Sequence, residues 1–181
     1  ENNPVDRCYL CKKYMFTKVK ELAHSLGIST ILEGTNADDL KQYRPGIKAI
    51  KELGLHSPLL EANMTKKEIR ELAATYGLKA ANKPSSPCLA TRFPYHTLLN
   101  YEEMRKVEKI EDYLHACGFY NVRARIHNDI VRLEIDQDAF MKCMDKRQEI
   151  VLFIKELGYD YVTLDLEGFR SGSQDIKLEE K

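Results

Sequence analysis

Apolar residues in the first half of the chain recur at helical spacing, interrupted by short unbroken apolar runs. Phe16, Val19, Leu22, Ala23 and Leu26 fall on one stripe that stops at Gly27, which predicts a helix over 12–26. The run 28–32 that follows reads as a buried strand. After a polar loop, Pro45 opens a second helix with Ile47, Ile50 and Leu53, closed by Gly54. A short run over 55–60 leads to a third helix. In it Thr65 and Glu68 form a capping box, Ile69, Leu72, Ala73 and Tyr76 make the stripe, and Gly77 ends it. Strands alternating with helices predict a mainly parallel sheet with both faces covered, so this half reads as α/β.

From about Ser85 the pattern changes. A long helix over 101–117 is followed by two strands, 122–127 and 130–135, joined by Asn128-Asp129 as a tight hairpin turn. Another helix over 139–157 ends at Gly158, and 161–166 reads as a further strand. This order predicts a separate small α+β domain, connected through 83–95. The expected organisation is therefore 1–84, 85–173 and a charged, loose tail over 174–181.

With 181 residues the chain can bury an ample core. Its 28 basic and 28 acidic residues balance, so no whole-molecule field recruits nucleic acid or anionic membrane, and any basic function is local. Every apolar run is broken by charge within a few residues, which leaves no signal peptide or membrane span. Five cysteines, an odd number without the density of a disulfide scaffold, suit a reducing cytoplasm.

Three of those cysteines stand apart. Cys8 and Cys11 lie in Asp6-Arg7-Cys8-Tyr9-Leu10-Cys11-Lys12, and Cys88 follows in Ser85-Ser86-Pro87-Cys88-Leu89. By itself C-x-x-C suits a redox dithiol, half of a zinc site or two core cysteines. Cys88 sits in a proline-flanked loop with no apolar stripe to join, which core packing explains poorly. Three thiolates are one short of a closed zinc site, yet they suffice for three corners of a cubane iron–sulfur cluster with its fourth iron open. Cys117 and Cys143 fall within apolar helical patterns and read as small buried hydrophobes.

Two further constellations carry candidate chemistry. Glu33-Gly34-Thr35-Asn36-Ala37-Asp38-Asp39 directly follows a predicted strand, at the carboxyl end of an α/β sheet where ligands bind in such folds. Gly34 admits a ligand to the backbone and the two acids could hold a hydroxyl or magnesium; a solvated polar turn explains the spacing equally well. In the hairpin, Arg123, Arg125 and His127 alternate with Val122, Ala124 and Ile126, and Arg132 and Glu134 add to the same side. That concentration of guanidinium groups on one strand face favours phosphate or carboxylate binding over an ordinary solvated face. Arg92, close after Cys88, and Arg170 in Gly168-Phe169-Arg170-Ser171-Gly172 are candidates for additional anion contacts, although arginines are common in loops.

Taken together and in order, Arg7-Cys8-Tyr9-Leu10-Cys11-Lys12-Lys13, the 33–39 loop, Arg44-Pro45-Gly46, the 83–95 segment and the 168–172 segment resemble the LarE family of ATP-dependent sulfur transferases. The resemblance implies a PP-loop fold of the adenine nucleotide alpha hydrolase type. It also implies thiolation of adenylated carboxylates of a pyridinium-3,5-dicarboxylate mononucleotide, a step toward the nickel-pincer nucleotide cofactor of lactate racemase. By position, Asp38 and Asp39 fall at the ATP and Mg2+ site. Cys88, Arg92 and Glu111 are the implied catalytic residues, and Arg123, Arg125, Glu134 and Arg170 line the substrate and phosphate region with them.

One branch of the family sacrifices a single cysteine, and another holds a [4Fe-4S] cluster on three. With Cys8, Cys11 and Cys88 this chain looks like the cluster branch, in which a sulfide donor recharges the open iron and the protein is preserved. Family members begin with a strand and a Ser-Gly-Gly-x-Asp-Ser loop that cradles the pyrophosphate of ATP, and nothing of that kind precedes Cys8. The chain, opening on Glu1-Asn2-Asn3-Pro4, therefore reads as a fragment that is inactive alone. A tRNA thiolase of the same superfamily is the nearest rival, disfavoured by the neutral charge. A zinc-stabilised binding module would need a fourth ligand that no motif supplies. A homo-oligomer is a further expectation, with a neighbouring subunit completing the arginine-lined site.

Overall fold

The computed structural model describes residues 2–84, 86–170 and 172–173, so the expected loose tail lies outside the described residues. The chain divides into two compact units, Pro4–Lys83 and the remainder from Pro84, with Asn3 joined to the latter. Its described part is mostly helical, with one small mixed sheet of three strands. No helix among the described residues is long and apolar enough to cross a membrane.

In the first unit, α1 is Arg7–Ser25, α2 is Gly46–Leu53, α3 is the short Pro58–Glu61 and α4 is Lys66–Thr75. The helix α1 begins ahead of its apolar stripe, because the Asp6 carbonyl already accepts from the Leu10 N–H at 3.1 Å. The C-x-x-C is thus part of the helix and not its lead-in. Gly46 is where α2 meets α1: an added Cβ would sit 2.8 Å from Lys12 Cδ and 3.4 Å from the Cys8 carbonyl oxygen. The capping box of Thr65 and Glu68 is formed.

The predicted strand over 28–32 contributes only one parallel bridge, Leu32 to His56. The Glu33 N–H donates to the His56 carbonyl at 2.9 Å and the His56 N–H to Ile31 at 3.1 Å. A ladder needs partners on its edges and cover for its apolar side chains; here Ile28 and Leu32 are exposed. The stripe of α1 is likewise open at Leu22 and Leu26, 61% and 65% exposed, and the buried apolar residues of this unit are Ala23, Ala49, Ile50 and Ala81.

In the second unit, α5 (Tyr101–Ala116) precedes the hairpin β1 (Val122–His127) and β2 (Ile130–Ile135), followed by α6 (Phe140–Asp145), α7 (Arg147–Glu156) and β3 (Tyr161–Leu164). The sheet order is β1-β2-β3, with β1 antiparallel and β3 parallel to β2. The hairpin turns on Asn128, whose φ of 54° is left-handed, a conformation that asparagine tolerates. The predicted helix over 139–157 is divided at Lys146, whose φ and ψ of −91° and 6° depart from helical values. Helical hydrogen bonds nevertheless continue across it, from the Lys146 N–H to the Lys142 carbonyl at 3.2 Å and from the Ile150 N–H to the Lys146 carbonyl at 3.1 Å.

Period-two alternation places Val122, Ala124, Ile126, Val131, Leu133 and Ile135 on one sheet face, against Val107, Ile110 and Leu114 of α5 and Ile150 and Ile154 of α7. Each large aliphatic side chain so enclosed contributes roughly 1.5–3 kcal/mol. The other sheet face carries the charged residues.

Candidate functional site

An alternating strand with a polar outer face is ordinarily wet on that face. Here it is not: Arg123 and Arg125 are 5% and 7% exposed and Glu134 is fully buried. The antiparallel register sets Arg123 opposite Glu134 and Arg125 opposite Arg132, so these four side chains share the face. A short turn, Leu89–Arg92, and the segment after β3 supply contacts to it.

Arg92 comes from that turn and is 2% exposed. Its Nε and Nη2 donate to Glu111 Oε1 and Oε2, both at 2.7 Å, a bidentate pair. Its Nη1 donates to Thr91 Oγ1 at 2.8 Å and to the Pro87 carbonyl at 3.2 Å, so the side chain also ties down the loop bearing Cys88. Glu111 projects from α5, and its Oε1 accepts from the Ala124 N–H at 2.9 Å on the open edge of β1. Arg125 donates from Nε to Glu134 Oε1 at 2.8 Å and from Nη2 to Glu134 Oε2 at 3.1 Å, with further bonds to the Thr91 carbonyl and Ser173 Oγ. Arg132 and Ser173 also donate to Glu134. The Arg123 guanidinium lies over the Phe169 ring, 5.0 Å from its centroid.

Among the described residues, Arg92, Arg123 and Arg125 are buried with Glu111 and Glu134, and the half-buried Arg132 pairs with Asp165 at 3.5 Å. Burial, then repulsion from Arg92 and Arg125, lowers the Arg123 guanidinium to a pKa of about 10. It is still cationic at neutral pH, with Glu111 and Glu134 opposing part of the shift. His127, at the exposed end of the strand, is pushed below its ordinary value by partial burial and by Arg132 and Arg125, so it adds no charge at neutral pH. Arg170 pairs with Glu167.

In the first unit, the 33–39 loop is built by its own side chains. Asn36 Oδ1 accepts from the Asp38 N–H at 3.0 Å and Asp39 Oδ2 from the Asn36 N–H at 3.1 Å, closing a capping box on the turn Ala37–Lys41. Asp39 Oδ1 also pairs with Arg44 at 3.0 Å. Asp38 accepts from the Lys66 N–H at 2.9 Å and pairs with Lys41 at 3.0 Å; the Lys66 bond, chiefly, holds its carboxyl below the usual range. Glu33 is the acid of the loop with the most enclosed side chain, 7% exposed. It accepts from the Thr35 N–H at 3.0 Å, from Thr35 Oγ1 at 2.8 Å and from Ser57 Oγ, with Lys12 Nζ at 3.7 Å. Burial alone would raise its carboxyl, but the Ser57 and Thr35 bonds outweigh it and the net shift is downward.

Cys8 and Cys11 are exposed, one turn apart on α1, and Cys88 is exposed ahead of Leu89–Arg92 in the second unit. Within neither unit do three or more His, Cys, Asp or Glu side chains among the described residues gather at a common metal position. Cys143 is buried and Cys117 half-buried. Glu33, Ser57, Thr91 and Ser173 are participants that residue patterning alone did not single out; only the position of Glu33 after a strand hinted at it.

No family model matches the chain. It is 39% identical over 172 residues to an uncharacterized protein of Synechocystis sp., a match covering 94% of this chain and 64% of that protein. An uncharacterized protein of Methanocaldococcus jannaschii is 31% identical over 169 residues, covering 93% of this chain and 66% of that one. The pyridinium-3,5-bisthiocarboxylic acid mononucleotide synthase of Lactiplantibacillus plantarum is 38% identical over 178 residues, 98% of this chain and 64% of the synthase. The chain thus spans 64–66% of the length of these relatives. Over nearly all of its own length, it is a distant homologue of that mononucleotide synthase.

Proposed function

We propose that the chain is the substrate-handling part of a LarE-type, ATP-dependent sulfur transferase acting on adenylated carboxylates of pyridinium-3,5-dicarboxylate mononucleotide in nickel-pincer nucleotide assembly. The observation that carries this reading is the burial of three guanidinium groups, those of Arg92, Arg123 and Arg125, about one sheet face. The homologous synthase is named for a product with two thiocarboxylates on a mononucleotide, an anionic ligand of the kind such a face suits. Arg123 and Arg125 bind the phosphate or a carboxylate, Glu134 orients Arg125, and Arg92 is held on Glu111 beside them. Arg170 adds a contact from the segment after β3.

Asp38 and Asp39 suit an Mg2+-bound nucleotide: an oxygen that already accepts one donor keeps a second lone pair. Cys8, Cys11 and Cys88 suit a [4Fe-4S] cluster by donor chemistry, being three thiols displayed at the surface. Bound there, the cluster would supply one iron without a protein thiolate, at which an external sulfide donor can deliver sulfur. The loop that cradles the pyrophosphate of ATP belongs, in this proposal, to the third of the relatives' length that the chain does not span. The enzyme works in the cytoplasm on a small nucleotide and not on tRNA, and a second subunit completes its arginine-lined site.

The test combines anaerobic reconstitution with turnover. Iron and sulfide analysis should give about one cubane per chain, lost in Cys88→Ala. With ATP, the pyridinium dicarboxylate mononucleotide and added sulfide, the parent protein should turn over more than once while Cys88 keeps its mass. Dehydroalanine at position 88 would replace the cluster route by self-sacrifice, and absence of any thiocarboxylate product would overturn the assignment.

A further inference from the structure

Asn3 has no exposed surface and packs in the second unit. Its side-chain nitrogen reaches three carbonyls of a single loop, those of Pro94 at 2.8 Å, Phe93 at 3.1 Å and Ala90 at 3.3 Å. Its own backbone carbonyl accepts from the His96 N–H at 3.0 Å. An amide offers only two protons, so three carbonyls share them. The arrangement is costly for Asn3 because its Oδ1 is buried without a partner, while its φ of 45° is a left-handed value that asparagine tolerates. An unfavourable local term that persists at one residue implies that the surroundings over-determine its position.

The surroundings are the loop that carries Arg92. That loop has one short turn, Leu89–Arg92, and no strand ladder to fix it. Arg92 continues the chain of contacts to Glu111, which holds the Ala124 N–H between Arg123 and Arg125. We infer that Asn3 is a positioning residue: its side-chain amide clamps the carbonyls around Arg92 and so sets that guanidinium on Glu111 at the edge of the anion-binding face. The consequence for ligand binding rests on the reading of this face as the substrate's anion site; the clamp itself does not. Aspartate has the same shape but would set a carboxylate against three carbonyl oxygens, so only the amide satisfies the loop.

Asn3→Ala and Asn3→Asp test the inference in the protein by hydrogen–deuterium exchange and by binding of nicotinamide mononucleotide, a pyridinium ribonucleotide phosphate. Exchange over 89–96 should accelerate by about tenfold or more in both variants while α7 keeps its protection, the signature of a local opening. Probe affinity should fall by about tenfold, as in Arg92→Lys. The double variant Asn3→Ala/Arg92→Lys should bind no more weakly than Arg92→Lys alone, because residues acting through one another are not additive. Should Asn3→Ala fail to fold, Asn3→Ser, which retains one donor, is read in the same way. Unchanged exchange over 89–96 would overturn the clamp. Lost protection with full probe affinity would reduce Asn3 to a structural role and overturn positioning. A wild-type protein that does not bind the probe at all would refute the functional reading, and the exchange measurement alone would then decide for or against the clamp.

Discussion

Replacing Arg92 with methionine removes the guanidinium while leaving an unbranched side chain in its place. Glu111, whose side chain is 9% exposed, would lose two charge-assisted bonds of 2.7 Å and keep only the Ala124 N–H. Breaking a buried pair by removing one partner costs about 3–5 kcal/mol, since the remaining carboxylate stays buried without its bidentate partner. For a chain of this size each kcal/mol lowers the melting temperature by roughly 2–4 °C, so Arg92→Met should melt about 6–20 °C lower. The double variant Arg92→Met/Glu111→Gln removes both charges of this pair, and its carboxamide oxygen can still accept from Ala124; it should recover most of the loss. Thermal melting followed by far-ultraviolet circular dichroism, with urea unfolding for the free energies, completes the cycle. A single variant within about 1 kcal/mol of the wild type would place the pair in the solvated class and refute the argument. So would a double variant no more stable than the single one.

Gly168, at a φ of 73°, has Gln137 Cγ and the Ile135 carbonyl 2.9 Å and 3.0 Å from where a Cβ would lie, so Gly168→Ala should cost about 1–3 kcal/mol in urea unfolding; a neutral result would mean that the segment after β3 shifts freely. Arg125→Lys keeps the charge but loses the fork that grips Glu134, and calorimetry should show nicotinamide mononucleotide binding weakened by on the order of 2 kcal/mol, with wild-type affinity pointing to a merely solvated arginine. The Glu33 carboxyl titrates lower in the folded than in the unfolded chain. Its contribution is therefore complete above the ordinary glutamate value of about 4.3 and is lost as pH falls through the depressed folded value. Glu33→Gln should flatten the acid limb of a stability–pH curve, and an unchanged limb would show that the carboxylate is not held as described.

How much of this was legible in the sequence differs sharply between the two units. The hairpin was readable to the residue, because period-two alternation and an Asn-Asp turn are local signals that the fold did not have to override. In the other unit the same reasoning took Val19, Leu22 and Leu26 for a buried stripe and 28–32 for a strand. Both are apolar, but burial and ladder pairing need a partner that pattern alone cannot supply, and Val19, Leu22, Leu26, Ile28 and Leu32 stand exposed. At the candidate site, the alternation of Arg123 and Arg125 put both on one face without revealing that the face is enclosed. Enclosure depends on Phe169, Ser173 and the Leu89–Arg92 turn, all distant in the chain. Asn3 was invisible for the same reason: its partners lie 87 to 91 residues away.

The bond from Ala124 to Glu111 bears on how the molecule behaves toward other chains. With the order β1-β2-β3, the outer edge of β1 is where a foreign strand would begin to pair. A flat apolar edge with free N–H groups templates such pairing and, from it, aggregation. Here the N–H at the middle of that edge is consumed by a carboxylate from α5, and an anionic group stands where an incoming carbonyl would have to approach. The residue that grips Arg92 therefore also blocks growth of the sheet at β1, and Glu111→Ala, which leaves the Ala124 N–H unmet, should appear in expression trials as insoluble protein before any loss of activity is measured.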